Sequence, residues 1–159
     1  MKKIITKLCL LSFFLLSLSS LKAQTFSIGT GTTSNTATTY PAPFGQYYTG
    51  ARHQMIYRKS ELQDSGAVNG LITQFGLNVT AVNGSAAHLG YTIKMTQTSA
   101  TSLTGFLTTG MTTVFTSTSY QPVSGWNMHT LSTPFTLDTS LNLVVEICFS
   151  NGTNTYSYN

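Results

Sequence analysis

Charge is what this chain has least of: only 8% of its 159 residues are Asp, Glu, Lys or Arg, against roughly a quarter in an ordinary globular domain. The acids are Glu61, Asp64, Asp138 and Glu146. Glycoside hydrolysis needs two such groups opposed across a cleft, and nothing in their spacing pairs them. Cysteine is equally scarce, with Cys9 and Cys148 alone. The apolar run over 8–18 falls short of the roughly 20 residues a helix needs to cross a hydrocarbon core. Thr, Ser, Asn and Gly take the place of charge, which suits the Thr-rich sheet face of an exported protein.

The amino end reads as a cleavable signal peptide over 1–23. Lys2, Lys3 and Lys7 precede the apolar run, and small Ala23 closes the polar stretch behind it, the order that export signals require. Cys9 lies inside the run and is not preceded by a Leu-small-small pattern, which argues against a lipoprotein. Cleavage leaves Gln24 as the new amino end and Cys148 without an internal disulfide partner. It also removes four of the eight Lys and Arg residues and none of the acids. Arg52, Arg58, Lys59 and Lys94 then balance the four acids, so the field that attracts nucleic acid or an anionic membrane is missing. The expected location is secreted or on the outer cell surface, with no membrane span after cleavage.

Residues 24–159 suffice for one domain and are few for two. The segment 24–45 reads as an extended amino-terminal arm ending near Pro41 and Pro43, and 46–159 as a β-sandwich truncated at its carboxyl end. From Gln46 the pattern has period two, with Ala51, His53, Met55 and Tyr57 on one side and Arg52, Gln54 and Arg58 on the other, which means a strand. Ser60-Glu61-Leu62-Gln63 matches a capping box, and Gly66 closes one helical turn. Leu71, Phe75, Leu77 and Val79 then fall on one face, and Asn83-Gly84 turns the chain. Tyr91, Ile93 and Met95 alternate with Thr92, Lys94 and Thr96. A structured loop over 98–110 is anchored by Leu103, Phe106 and Leu107. Strands over 112–118, 126–131 and 135–137 follow, and a last one turns Leu141, Leu143, Val145, Ile147 and Phe149 inward and Asn142, Glu146 and Cys148 outward.

Six or more alternating strands without a long amphipathic helix indicate an all-β fold. Its architecture is a two-sheet antiparallel β-sandwich, jelly-roll or immunoglobulin-like, with one short helical turn. The expected core is Leu71, Phe75, Leu77, Ile93, Met95, Val114, Trp126, Phe135, Leu143, Val145, Ile147 and Phe149.

Reactive groups do not converge. His53, His88 and His129 lack the i, i+2 or i, i+4 spacing of metal ligands, with His53 on an apolar strand face, His88 in a turn and His129 near Trp126. Cys148 stands on the outward face of a regular strand and reads as a small residue covered by a neighbouring element. Gly29-Thr30-Gly31 lacks the Lys-Ser/Thr of a phosphate loop. The expectation is therefore no catalytic residue, no metal and no cofactor. Tyr40, Phe44, Tyr47 and Tyr48 gather around two prolines, and aromatic faces beside polar groups can stack on a sugar or a peptide. They serve either as a ligand-binding platform or as a plug at one end of the sandwich.

Five stretches in order carry a resemblance: Ser60-Glu61-Leu62; Gly70 through Phe75; Tyr91 through Met95; Gly125-Trp126 with Leu131-Ser132-Thr133-Pro134-Phe135; and Asn142 through Glu146. Over roughly 25–159 the chain resembles a secreted β-sandwich, jelly-roll-like module of Bacteroidetes surface and type IX secretion cargo proteins. The resemblance implies adhesion, or an accessory place beside a peptidase or glycosidase. The expected function is a non-catalytic module that binds an extracellular protein or glycan. The alternative is an accessory domain of a larger secreted hydrolase whose catalytic part lies beyond Asn159.

Overall fold

The computed structural model describes residues 23–29, 43–46 and 48–152. The expectations placed on the signal peptide, on Tyr40 and Tyr47 and on the last seven residues lie outside them. In chain order the elements are strand β1 (Gly50–Tyr57), helix α1 (Lys59–Asp64), β2 (Gly70–Val79), β3 (His88–Thr98), β4 (Thr112–Tyr120), β5 (Gly125–Leu137) and β6 (Asn142–Ser150). Two sheets form, one in the order β1-β6-β3-β4 and the other a β2-β5 pair, and every neighbour is antiparallel. The molecule is an all-β two-sheet sandwich, as its alternation requires.

The apolar run of β6 explains why it is central in the larger sheet. Between β1 and β3 it is buried along nearly its whole length. Leu143, Val145, Ile147 and Phe149 point between the sheets, where they meet Tyr91, Ile93 and Met95 of β3, Val114 of β4, and Leu131 and Leu137 of β5. Leu62 of α1 is fully buried and Ala67 nearly so, so the helical turn is a stopper for this core. Phe26, Ile28 and Phe44 pack on it as well, and Gln24 donates to the Gly66 carbonyl.

Register, which local pattern does not reveal, separates the expected core from the observed one. β2 and β5 pair from Gly70↔Leu137 to Ile72↔Phe135, then resume at Gln74↔Thr130. Thr73 on one strand and Leu131–Pro134 on the other lie outside the ladder. Pro134 has no N–H to donate, and an irregularity of this kind shifts which residues face inward. Ile72 and Phe75 therefore both pack on the core, and Leu71 turns out to be 65% exposed. Instead of two short strands, β5 is one long element whose Asn127, His129, Leu131 and Leu137 are buried. Trp126, expected in the core, falls on the other parity and is 55% exposed. A second irregularity leaves Val114 opposite no residue between Ile93↔Phe115 and Lys94↔Thr113, so Val114 is buried and the adjacent Phe115 also packs on the core.

Two further expectations are corrected. The helix begins at Lys59, not after Ser60, with extended Arg58 as its N-cap. Glu61 Oε2 accepts from the Arg58 amide at 2.7 Å, satisfying an end donor that a helix this short would otherwise leave open. Gly66, at φ +85°, ends the turn. His88 does not sit in a turn: it opens β3 and is fully buried.

Candidate functional site

The outer face of the larger sheet brings three polar residues together around Glu146. Parity on β6 turns this carboxylate away from the core, as expected, yet it is only 1% exposed. Its Oε2 accepts from Arg52 Nε at 2.7 Å and from Gln54 Nε2 at 2.6 Å, and its Oε1 lies 3.3 Å from Lys94 Nζ. β1 and β3 flank β6, with Gln54 and Lys94 both in register with Glu146. The loop over 99–111 covers them. Gln54 exchanges two 2.8 Å bonds with the Leu107 backbone, and Phe106 lies over the Arg52 guanidinium at 4.7 Å. Burial alone would raise the Glu146 pKa, but the bonds from Gln54, Arg52 and Lys94 outweigh it and hold the carboxyl below its usual range. With three donors on its two oxygens, the carboxylate is held as an anion that ties β1, β3 and β6 together beneath the loop.

Between the sheets lies a cluster of aromatic rings with two histidines in it. His88 stacks on Phe149 at 4.0 Å. Tyr91 stacks on Tyr120 at 4.6 Å and on His129 at 5.4 Å, and Phe115 meets His129 edge-on at 4.9 Å. His129 Nδ1 lies 3.3 Å from the Phe75 carbonyl, which places its proton there. His88 Nε2, Tyr91 Oη and His129 Nε2 are buried without a hydrogen-bond partner. Burial lowers both histidine pKa values, against the opposing pull of the Ala86 and Phe44 carbonyls on His88 and of the Phe75 and Asn127 backbone on His129. It likewise keeps the Tyr91 phenol well above its usual range, with Tyr120 adding to the shift. These rings fill the space between the sheets.

His53 is half-buried on β1 beside Ile147, its pKa lowered by burial. Cys148 is a free, half-buried thiol on β6. Asp138 accepts from the Ser140 amide at 2.9 Å, a bond that lowers its pKa. Among the described residues no three His, Cys, Asp or Glu side chains are grouped so as to hold a metal ion. A shallow pocket of about 210 Å³ is lined by Arg58, Lys59, Ser99, Thr101, Ser140 and Asn142. Asn142 there accepts from the Lys59 amide and donates to the Ala100 carbonyl, each at 2.7 Å, so its amide is already committed to holding the backbone.

Of the aromatic residues expected to bind, Phe44 and Tyr48 are described, and they part company. Phe44 is 7% exposed and stacks toward Tyr91 and Tyr120, whereas Tyr48 is 55% exposed. Among the described residues, a further exposed aromatic side chain stands on the β2–β5 pair. Trp126 and Met128 stand side by side on its outer face, each about half exposed, with Asn78 opposite Trp126 and Gly76 opposite Met128. A Cβ on Gly76 would fall 2.2 Å from Met128 Sδ, so the thioether lies flat across the glycine. Gln74 and Thr130 complete the row, joined by a 3.3 Å bond. The row is aromatic, thioether, amide and hydroxyl, with no charge in it. Its signal was present in the sequence as the parity of Trp126 with Met128 and Thr130, and it was masked by the expectation that a lone tryptophan after a glycine is core. No protein-family model matches the chain, and neither does any curated protein or solved structure.

Proposed function

We propose that this chain is a non-catalytic β-sandwich module, secreted or displayed on the outer cell surface, that binds an extracellular glycan or protein. The observation that carries the reading is the uncharged Trp126–Met128 row with Asn78, Gln74 and Thr130 beside it. An indole face offers apolar contact to the C–H face of a sugar or to a peptide side chain, and flanking amides and hydroxyls supply hydrogen bonds in either case. Tyr48 adds an exposed ring near the start of β1. The resemblance to exported adhesion modules and the export signal read at the amino end support the same reading.

The test is binding of the chain to a glycan array and to a panel of extracellular-matrix proteins, alongside Trp126→Ala. Loss of the bound signal in that variant, with an unchanged far-UV circular dichroism spectrum, is the expected result. Equal binding by both proteins would remove the row from the reading. Turnover in a broad hydrolase screen that disappears on substituting His53, His129 or Cys148 would overturn the non-enzyme assignment.

A further inference from the structure

Asn69, Asn83 and Asn151 each precede a glycine. An Asn-Gly step is open to attack on itself, because glycine has no side chain to keep its own amide nitrogen away from the neighbouring carboxamide carbon. The fold treats the three differently. Asn151 is 5% exposed, and its carboxamide accepts from the Leu89 amide at 2.8 Å and donates to the Ala87 carbonyl at 2.9 Å. Asn69 is exposed, yet its Oδ1 accepts from both the amide and the hydroxyl of Thr139, each at 2.8 Å. Asn83 is exposed in the turn between β2 and β3, and among the described residues nothing bonds its carboxamide. In that turn the Val82 carbonyl accepts from the Ser85 amide at 2.8 Å, with Asn83 at φ +44° and Gly84 at φ +82°, the left-handed pair of a tight reverse turn. The Gly84 amide takes no part in the bond, and the space around this glycine is open.

We propose that Asn83 is a self-modifying site, converting to aspartate and isoaspartate without an enzyme, while hydrogen bonds hold Asn69 and Asn151 back. The Gly84 amide nitrogen gives its proton to solvent base and forms a bond to Asn83 Cγ. The Cγ–Nδ2 bond breaks, and Nδ2 leaves as ammonia. The five-membered imide then takes up water at one of its two carbonyls. Opening at Cγ restores the main chain and leaves an aspartate side chain, whereas opening at the other carbonyl routes the main chain through Cβ and Cγ as isoaspartate. Water is the sole co-reactant, and nothing is oxidised or reduced. Asn69 and Asn151 must each break two hydrogen bonds before the carboxamide can turn toward its glycine, which slows them about thirtyfold relative to Asn83.

The isoaspartyl product acts on what the turn holds. It adds a carbon to the main chain between Val82 and Ser85, so the bond that closes the turn cannot keep its geometry. Ser85 Oγ donates to the Phe44 carbonyl at 3.2 Å. Gln46, fully buried, accepts from the Ala86 amide at 2.9 Å and donates to the Ala86 and Ala87 carbonyls at 2.7 and 3.1 Å. Displacing residues 85–87 therefore loosens the segment over 43–46.

The test is to age the full chain at mildly alkaline pH, digest it and follow the three Asn-Gly peptides by mass spectrometry and isoaspartate labelling. Asn83 should convert about thirtyfold faster than the other two. In urea the three rates should converge, because the local step is then the same. Thr139→Val removes one of the two bonds on Asn69 and should speed that site about fivefold, with Asn83 unchanged. The isoaspartyl form, separated by chromatography, should exchange its amide hydrogens over 43–49 faster than the parent. Conversion led by Asn69 or Asn151, a preference for Asn83 that persists in urea, an unaltered Asn69 rate in Thr139→Val, or identical exchange over 43–49 would each overturn the proposal.

Discussion

The two sheets treat their outer faces in opposite ways. In the four-stranded sheet the outer side of β6 carries Asn142, Val144 and Glu146, and all three are buried. A loop of more than ten residues lies across them, held by polar bonds to Arg52, Gln54 and Asn142. The outer side of the β2–β5 pair carries Trp126, Met128 and Leu71, and all three are more than half exposed. The covered strand β6 is sealed by charge and amide groups beside Val144, and the open face of the β2–β5 pair sets its apolar side chains among uncharged amides and a hydroxyl. Sealing a face with polar groups works only if each finds a partner, and Glu146 finds three. An apolar row left in water costs free energy wherever it stays uncovered, and such patches commonly mark interaction sites.

Substitutions can break this contrast at both ends. The largest effect is expected at Val145, whose side chain points into the core shared by the two sheets. Val145→Asp places an unpaired carboxylate there at a cost of several kcal/mol, comparable with the 5 to 15 kcal/mol of a typical domain, and circular dichroism should find the chain unfolded. Next is Glu146→Gln, a change that strand parity alone would rate as harmless. Its three donors and burial say otherwise, and urea denaturation at pH 7 should show a loss of about 2 to 3 kcal/mol.

The same substitution has a pH signature. The folded Glu146 pKa lies below the ordinary glutamate value of about 4.3, so its contribution is complete above that value and is lost as pH falls through the folded one. The gap between the parent and Glu146→Gln should therefore narrow below pH 4, and a gap independent of pH would mean that the charge is irrelevant to the loop. Phe106→Ala removes only the ring over Arg52 and should cost about 0.5 to 1 kcal/mol in the same denaturation assay. The smallest change in stability belongs to Trp126→Ala, within about 0.5 kcal/mol, because nothing packs the indole into the core. A loss above about 2 kcal/mol there would show that the face is covered in the folded chain and would close the comparison from the other side.

Strand existence was legible throughout, because alternation of apolar and polar residues is a local property of the chain. The inward sets of β3 and, from Leu143 onward, of β6 were correct, each strand being regular along that run, whereas Leu141 lies before β6 and is only partly buried. Phase was legible only as far as the ladder stayed regular. Leu71 and Ile72 exchange faces across an irregularity at Thr73, and Trp126 follows the parity of Asn127 and His129, whose polar side chains concealed that they are the buried set. The buried histidines were visible as residues, but their ring stacking depends on contacts between β3, β5 and β6. Gln46 was read as the start of a strand, and its burial outside any strand depends on the Ala86 and Ala87 backbone, some forty residues further along.

The sequence by itself determined the all-β class, the scarcity of reactive groups and the apolar faces of the central strands, because periodicity and composition act over a few neighbouring residues. Only the tertiary structure decided that Glu146 is buried, that Trp126 is not and that Gln46 is enclosed against the Ala86 backbone. Each of these depends on which distant segment covers a given face, and two faces with the same local pattern differ in free energy only once the chain has brought their partners together.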